Sequence, residues 1–495
     1  MKLIKQLDIV LLLLWCILSF NFIENVNSSL ISPILPPYHI CLRSIEGPVI
    51  YPSDSRFQSL IIDDNIRVNY TPSVLVYAVN NEDVKNAVKC AVKWKTDIVP
   101  RSGGHSYEKY SLGGRDNVIV LDVTLINDIT INSNSEPKTA KIGAGNRLGN
   151  IYVKLSEAGF LIPAGTCPSV GIGGHALGIG YCSRTYGITC DNVISMEMVN
   201  AKGELLHIDS TSHPKLFFAL RGAGGGSYGI VTSYVFHIHP APPQATYMRF
   251  AFNRTNLAQV HQLIFALNEV GPLIDNKIGL KLRLFKTSLI ATVLYLGPRT
   301  EAKNAMKDFL SKAPERISSE YNQLTFLEAI IAVADVSEYD MYHPSHHPIF
   351  FKLKSFYVNQ GEGLNQAAIN DLVDFSNRAS CEVLTTFDLY GGKINIDRHN
   401  TSFVHRNALY CIRMQMESYE ALSPQCIDEM DNFGRRFQYK INSTSSYQGF
   451  IDRSLDNWQS RYYGNIFGKL VEIKNEYDPN NLFNFPQIHI SPVHF

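Results

Sequence analysis

The stretch "GTCPSVGIGGHALGIGYC", Gly165–Cys182, decides how this chain is read. It holds six glycines, one histidine and two cysteines among few bulky residues. Glycine is placed where backbone must turn with positive φ or approach another group closely, so so dense a run marks a surface with something lying against it. The stretch has neither the period of a helix nor the alternation of a strand, and its glycines are expected in loop, between elements.

Two further glycine loops flank it. "RSGGHSYEKYSLGG", Arg101–Gly114, follows the short strand pattern "DIVP", and "GGGSYG", Gly224–Gly229, matches the spacing G-x-G-x-x-G. That spacing marks a dinucleotide site only when a strand precedes it and a helix opens after it, and here the alternating, β-branched "IVTSYVFHI" follows, which reads as a strand. The fingerprint is therefore rejected. Three glycine loops carrying His105 and Cys167 still point to a large, flat or polyanionic ligand approached by bare backbone donors.

Around these loops the elements alternate. "SVLVYAV" reads as a strand, "NNEDVKNAVKCAVKW" as a helix capped by asparagine, "NVIVLDVTL" as a buried strand, and "RLGNIYVKLSEAG" as a helix stopped by Gly159. "NVISMEMVNAKGELLHI" reads as a hairpin turning at Asn200–Gly203. From about residue 241 helices such as "TNLAQVHQLIFALNEV" and "TEAKNAMKDFLSKA" alternate with strands such as "KIGLKLRLF" and "SLIATVLYL", the pattern of a sheet with helices packed on it. "DNWQSRYYGNIFGKLVEIKNEYDPNNLF" reads as one long amphipathic helix ended by Asp478-Pro479. The class is α+β.

Bulk properties narrow the function. With 45 Lys plus Arg against 45 Asp plus Glu, the chain has no electrostatic footprint for nucleic acid or an anionic membrane, which leaves a small molecule as the expected partner. Residues 1–28 read as a secretory signal peptide whose apolar run is short for a membrane span, and no second such run follows, so the mature protein is expected to be extracellular. Sequons at Asn69, Asn253, Asn400 and Asn442 fit that route. Eight cysteines remain beyond Cys16 of the signal, and an oxidising compartment permits disulfides without specifying them.

Taken in order, "RSGGHSY", the cysteine of "GTCPSVGIGGH" 62 residues past His105, "YGITCDNV", "LFFALRGAGGGSYGIVT" and "YYGNIFGKLVEIKNEYDPNNLF" resemble the berberine bridge enzyme family of secreted FAD-linked oxidases, which includes gluco-oligosaccharide oxidases and cannabinoid synthases. The resemblance implies an FAD-binding domain of the vanillyl-alcohol-oxidase or p-cresol-methylhydroxylase type over 73–240, after a lead-in at 29–72. A substrate domain with an antiparallel sheet covered by helices follows over 241–442, and 443–495 returns to the FAD domain. FAD would be tethered twice, to His105 and to Cys167. The loops would line it with Arg101, Ser102, Gly103, Gly104, Ser106, Val170, Gly171, Gly173, Gly174, His175, Gly178, Gly229, Ile230 and Val231. Val170 matches the position that gates oxygen, and valine there implies an oxidase that releases hydrogen peroxide. The resemblance also implies a Cys41–Cys90 disulfide and a monomer. Cys182, Cys190, Cys381, Cys411 and Cys426 are five, so at least one stays free or pairs between chains, and buried thiols are the expected outcome.

One departure matters. A flavin oxidising an alcohol needs a base within hydrogen-bond reach of the hydroxyl. The family draws it from a tyrosine in Y-x-N-Y-x-D, whereas this chain has "YQGFID", with Phe450 at the tyrosine position and Gly449 at the asparagine position. Tyr107, Asp388 and Tyr447 are the substitute candidates, with Tyr107 and Asp388 preferred. "FVHRNALY", Phe403–Tyr410, resembles a family segment at the sheet that faces the flavin. "YHPSHHP", Tyr342–Pro348, has no carboxylate or cysteine inside it and no helical spacing, so it is read as a loop, and no metal is expected. The expected activity is oxidation of a carbohydrate hemiacetal or alcohol with molecular oxygen. The alternatives are a phenolic or alkaloid-type metabolite as substrate, and a flavin-loaded binding protein with little turnover.

Overall fold

The structure is a computed structural model that describes residues 38–396 and 400–487. The expected signal peptide and Cys16 lie outside the described residues.

The first sheet is built from β1 (Val49–Ile50), β2 (Val74–Tyr77), β3 (Ile98–Arg101) and β4 (Ile119–Asp122), in the order β1-β2-β4-β3. β4 pairs parallel with both β2 and β3. Parallel strands are covered on both faces, which is why "VLVY" and "IVLD" are near-continuous apolar runs. The crossover helix Asn81–Trp94 starts where Asn80 Oδ1 accepts from Asp83 N at 2.9 Å and stops at Lys95, which is left-handed.

The second sheet is antiparallel, with β5 (Ile129–Asn132), β6 (Thr139–Gly143), β8 (Val193–Val199), β9 (Leu205–Ile208) and β10 (Ile230–His237) in the order β5-β6-β10-β8-β9. A separate two-stranded ladder pairs β7 (Phe160–Leu161) with β11 (His239–Pro240), just after β10. A helix over Pro214–Ala223 precedes the loop at Gly224–Gly229, and β10 follows it, so no helix opens there.

The third sheet has seven strands: β12 (Ala245–Phe252), β13 (Ile278–Leu284), β14 (Leu289–Tyr295), β15 (Arg316–Leu324), β16 (Phe350–Asn359), β17 (Val383–Leu389) and β18 (Ala408–Ser418). They are antiparallel throughout, in the order β15-β12-β14-β13-β17-β18-β16. Alternation sorts its faces. Leu280, Leu282, Phe387, Ile412 and Phe356 point into a core beneath the helices Leu257–Val270, Gln366–Arg378 and Pro424–Lys440. Lys281, Arg283, Thr386, Asp388 and Arg413 therefore point the other way. Each fully buried leucine on the covered face contributes about 2 kcal/mol by burial.

Several expectations need correction. Ile172–His175, inside the opening glycine stretch, is one turn of α-helix and not loop, because its backbone donors close back onto Gly171 and Ile172. The carboxy-terminal helix is broken into Trp458–Tyr463, a 3-10 turn at Gly464–Ile466 and Phe467–Tyr477; Gly464, at φ +55°, takes the left-handed conformation that ends the first piece. "TEAKNAMKDFLSKA" is likewise two short helices meeting at Met306. Cys41–Cys90 is bonded, and so is Cys381–Cys426, a pair that spacing alone does not reveal. Cys182, Cys190 and Cys411 are free and buried.

The carboxy-terminal segment is anchored to the first half of the chain by a buried charge. Lys474 Nζ donates to Ser227 O at 2.5 Å, Phe483 O at 2.8 Å and Asp478 Oδ2 at 2.6 Å. Asp478 in turn accepts from Leu482 N and Phe483 N. A fully enclosed lysine is tolerable only with partners of this kind.

Candidate functional site

The loop after β3 and the glycine stretch meet backbone to backbone. A Cβ on Gly103 would collide with Gly171 N, and one on Gly171 with Gly103 N, so these two glycines permit loop-to-loop packing. Gly173 packs on Ser102, whose Oγ donates to Ala144 O at 2.6 Å. Gly178 and Gly165 close on the ring of His175, and Gly165 N donates to His175 Nε2 at 2.7 Å. Burial, with Lys281 adding repulsion, holds the His175 pKa down at about 4, so the ring is a neutral acceptor. Gly174 is different: no other atom would lie within 4 Å of a Cβ there, which leaves the backbone open.

The remaining predicted residues divide in the same way. The Arg101 guanidinium pairs with Asp122 at 2.5 Å and donates to Leu60 O, so its side chain holds the sheet together. Ser106 Oγ accepts from Tyr110 N at 2.9 Å. Gly229 packs on Val199 O and Met198, while Ile230 and Val231 pair with Val199 and Met198. Val170 is half-buried, and its carbonyl accepts from Leu148 N at 2.9 Å.

His105 and Cys167 keep their reactive atoms available. His105 Nδ1 lies 3.3 Å from Asp64 Oδ2, and its buried Nε2 has no hydrogen-bond partner. Cys167 is free and exposed, with Ser169 Oγ at 3.5 Å from its sulfur. An open thiol and the bare backbone at Gly174, beside the His105 ring, fit a bound flavin. His346, from "YHPSHHP", stacks on His105 with ring centroids 5.2 Å apart, and Asp64, His105 and His346 bring ligand atoms within 4.8 Å of one another. Burial pushes the Asp64 carboxyl up, but hydrogen bonds and charge from the two imidazoles outweigh it and hold the group well below the usual carboxylate range.

The face of the seven-stranded sheet opposite the three long helices supplies the other wall, at its β13–β17–β18 strands. Lys281 and Asp388 are register partners on β13 and β17, with Nζ 3.3 Å from Oδ1. One row along, Arg283, Thr386 and Arg413 lie side by side across β13, β17 and β18. The Arg413 guanidinium lies beside Tyr107, and its central carbon sits 5.4 Å over the Phe450 ring. Phe450 in turn lies edge-on to Tyr107 at 5.5 Å and to Tyr447 at 4.8 Å. The Tyr447 hydroxyl donates to Leu177 O at 3.3 Å. Burial raises the pKa of Tyr107 and Tyr447 alike, so both stay protonated near neutrality. The segment "FVHRNALY" packs beside this wall: Phe403 meets the Tyr447 ring edge-on at 6.5 Å, Arg406 forms a buried two-pronged pair with Asp191, and His405 stacks on Tyr357 at 4.2 Å.

The structure thus gathers Tyr107, Asp388 and Tyr447 near Phe450, and adds residues the sequence did not single out. Tyr181 lies beneath Lys281 Nζ, 5.0 Å from the ring centroid, and its buried hydroxyl has no partner. Asp64 and His346 flank His105. Lys281, Arg283 and Arg413 were visible as the polar positions of alternating strands, but alternation does not say what such a face looks upon.

Residues 72–209 match the family described as FAD binding domain, and residues 446–488 match that described as berberine and berberine like. The structure of Physcomitrella patens BBE-like 1 is 33% identical, with a TM-score of 0.85 over 93% of this chain and 100% of that one. Xylooligosaccharide oxidase of Thermothelomyces thermophilus is 27% identical over 90% of this chain and 93% of its own length. The glucooligosaccharide oxidase of Acremonium strictum, described with a 6-S-cysteinyl, 8α-N1-histidyl FAD, shares the fold at 23% identity and TM-score 0.83, covering 93% of this chain and 100% of its own. Among the described residues no helix is long and apolar enough to cross a membrane.

Proposed function

This chain belongs to the berberine-bridge-enzyme-like family of FAD-linked oxidoreductases, and on that premise we propose that it is a secreted oxidase of carbohydrate hemiacetals carrying FAD on both His105 and Cys167. Bound FAD would supply the two-electron acceptor, with molecular oxygen reoxidising it to give hydrogen peroxide. The chain's own residues do the rest. His105 and Cys167, from two loops locked together at Gly103 and Gly171, fix the ring between them. Asp388 takes the hydroxyl proton of the substrate as hydride leaves carbon. Tyr107 and Tyr447 hold their protons and serve as donors. Lys281 orients the Asp388 carboxylate at 3.3 Å. Phe450, with Tyr107 and Tyr447, offers aromatic surface on which a sugar ring can stack.

The observation that carries this reading is the placement of one carboxylate, Asp388, on the sheet face that also holds Tyr107 and Phe450, in a chain lacking the family's tyrosine base. The test is anaerobic reduction of the purified yellow protein by mono- and oligosaccharides, followed by a peroxide assay in air. Bleaching by sugars with peroxide release supports the reading. Bleaching by phenolics or alkaloids alone, or by nothing, refutes it.

A further inference from the structure

The substrate wall carries more positive charge than its one carboxylate can balance. Lys281, Arg283 and Arg413 share a face with Asp388, and Lys281 is depressed below the usual lysine range by burial and by repulsion from both arginines, against the pull of Asp388. Among the described residues neither Arg283 nor Arg413 forms an ion pair. The other acids on this face of the sheet are exposed: Glu417, four residues along β18 from Arg413, and Glu320, at the far edge opposite Arg249.

Three buried polar atoms of the same wall also have no partner: Thr386 Oγ1, Arg413 Nε and the Tyr181 hydroxyl. Thr386 is fully buried and Tyr181 is 4% exposed. Buried donors left unmatched are costly unless a ligand satisfies them. Thr386 sits between Arg283 and Arg413, two strand spacings apart, roughly 10 Å at the backbone. The short threonine leaves room for two long guanidinium groups to converge above it, and a planar carboxylate fits such a pair with two parallel hydrogen bonds.

We propose that the saccharide oxidised here is acidic, a uronic acid or an oligosaccharide containing one, and that Arg283 and Arg413 grip its carboxylate above Thr386 while Asp388 faces the reacting hydroxyl. This rests on the oxidase reading given above and specifies its substrate class. The cationic row reads the substrate, and Lys281 remains with Asp388.

The experiment uses the full flavin-loaded protein and compares anaerobic flavin reduction by digalacturonate, galacturonic acid, galactose, xylobiose and galactose 6-phosphate. The expected result is a second-order reduction rate for digalacturonate at least about tenfold above that for the neutral sugars, shrinking as salt is raised. In Arg283→Gln, that ratio should fall toward one through weaker substrate binding; flavin content and melting temperature report whether the variant has folded, and the wild-type ratio stands independently of it. Equal rates for acidic and neutral sugars overturn the proposal and leave a carbohydrate oxidase. Preference for the phosphate ester overturns the carboxylate assignment. A ratio that survives in Arg283→Gln, with only the flavin absorbance altered, assigns the charge to the cofactor and overturns it too. Bleaching by no sugar at all overturns both this proposal and the reading beneath it.

Discussion

Lys281 and Asp388 face each other across adjacent antiparallel strands, ammonium to carboxylate 3.3 Å, on the face of the seven-stranded sheet opposite the three long helices. The pair is strand-borne and therefore rigid, which suits a base that must meet a hydroxyl repeatedly in one geometry. Asp388→Asn keeps the shape and removes the proton acceptor. It should lower the rate of anaerobic flavin reduction by about 10²- to 10⁴-fold with flavin content unchanged. A loss under threefold would move the proton to Tyr107.

Phe450→Tyr restores the family's hydroxyl between Tyr107 and Tyr447. With Asp388 already serving as base, turnover on the best sugar should change by less than about threefold. A large rise in steady-state rate would show that a missing tyrosine base limits the wild-type chain.

Flavin attachment should be separable at its two ends. His105→Ala and Cys167→Ala should each retain flavin through acid precipitation, held by the remaining bond, and the double variant should release it all. Mass spectrometry of the intact protein reads the difference. Complete release from either single variant would show that only one tether exists.

His175 gives the fold a pH dependence whose sign can be worked out. Unfolded, its imidazole titrates near 6.5; folded, burial and then Lys281 hold it at about 4. Between these values the unfolded chain binds a proton that the folded chain refuses, so stability is full above pH 6.5 and is lost as pH falls toward 4. The loss from this residue amounts to about 3 kcal/mol, and His405, held near 3 chiefly by burial, acts in the same direction. Melting temperatures from pH 7 to pH 4 should fall, and His175→Gln, which keeps an acceptor without a titrating ring, should flatten the slope.

Val170 is half-buried beside the locked glycines. Val170→Leu adds a methylene where oxygen is expected to approach, and should slow reoxidation of reduced flavin by about tenfold while slowing reduction less. Stopped-flow mixing of the reduced protein with oxygenated buffer measures it. Equal rates in the two proteins would place the oxygen path elsewhere.

How far the sequence carried depended on whether a feature was local. The helix at Asn81–Trp94 announces itself through its own cap and period, and the rejection of the Gly224–Gly229 fingerprint needed only the strand that follows it. The glycine loops were legible as a ligand site, but not the division of labour within them, because Gly103 and Gly171 meet only when two distant segments fold together. The break at Gly464 was missed because an amphipathic period continues across it while a single left-handed residue turns the chain.

By itself, the order of residues determined the α+β class, the two candidate tethering side chains and the phenylalanine at position 450. The tertiary structure alone decided which charges face the site. Strand alternation puts Lys281, Arg283, Asp388 and Arg413 on one side of their strands, but only the pairing register of β13, β17 and β18 sets them beside one another. The same holds for Asp64 and His346, which lie far apart in the chain and reach His105 from different segments. Cross-strand register and long-range packing are properties of the whole sheet and its cover, and no window of sequence contains them.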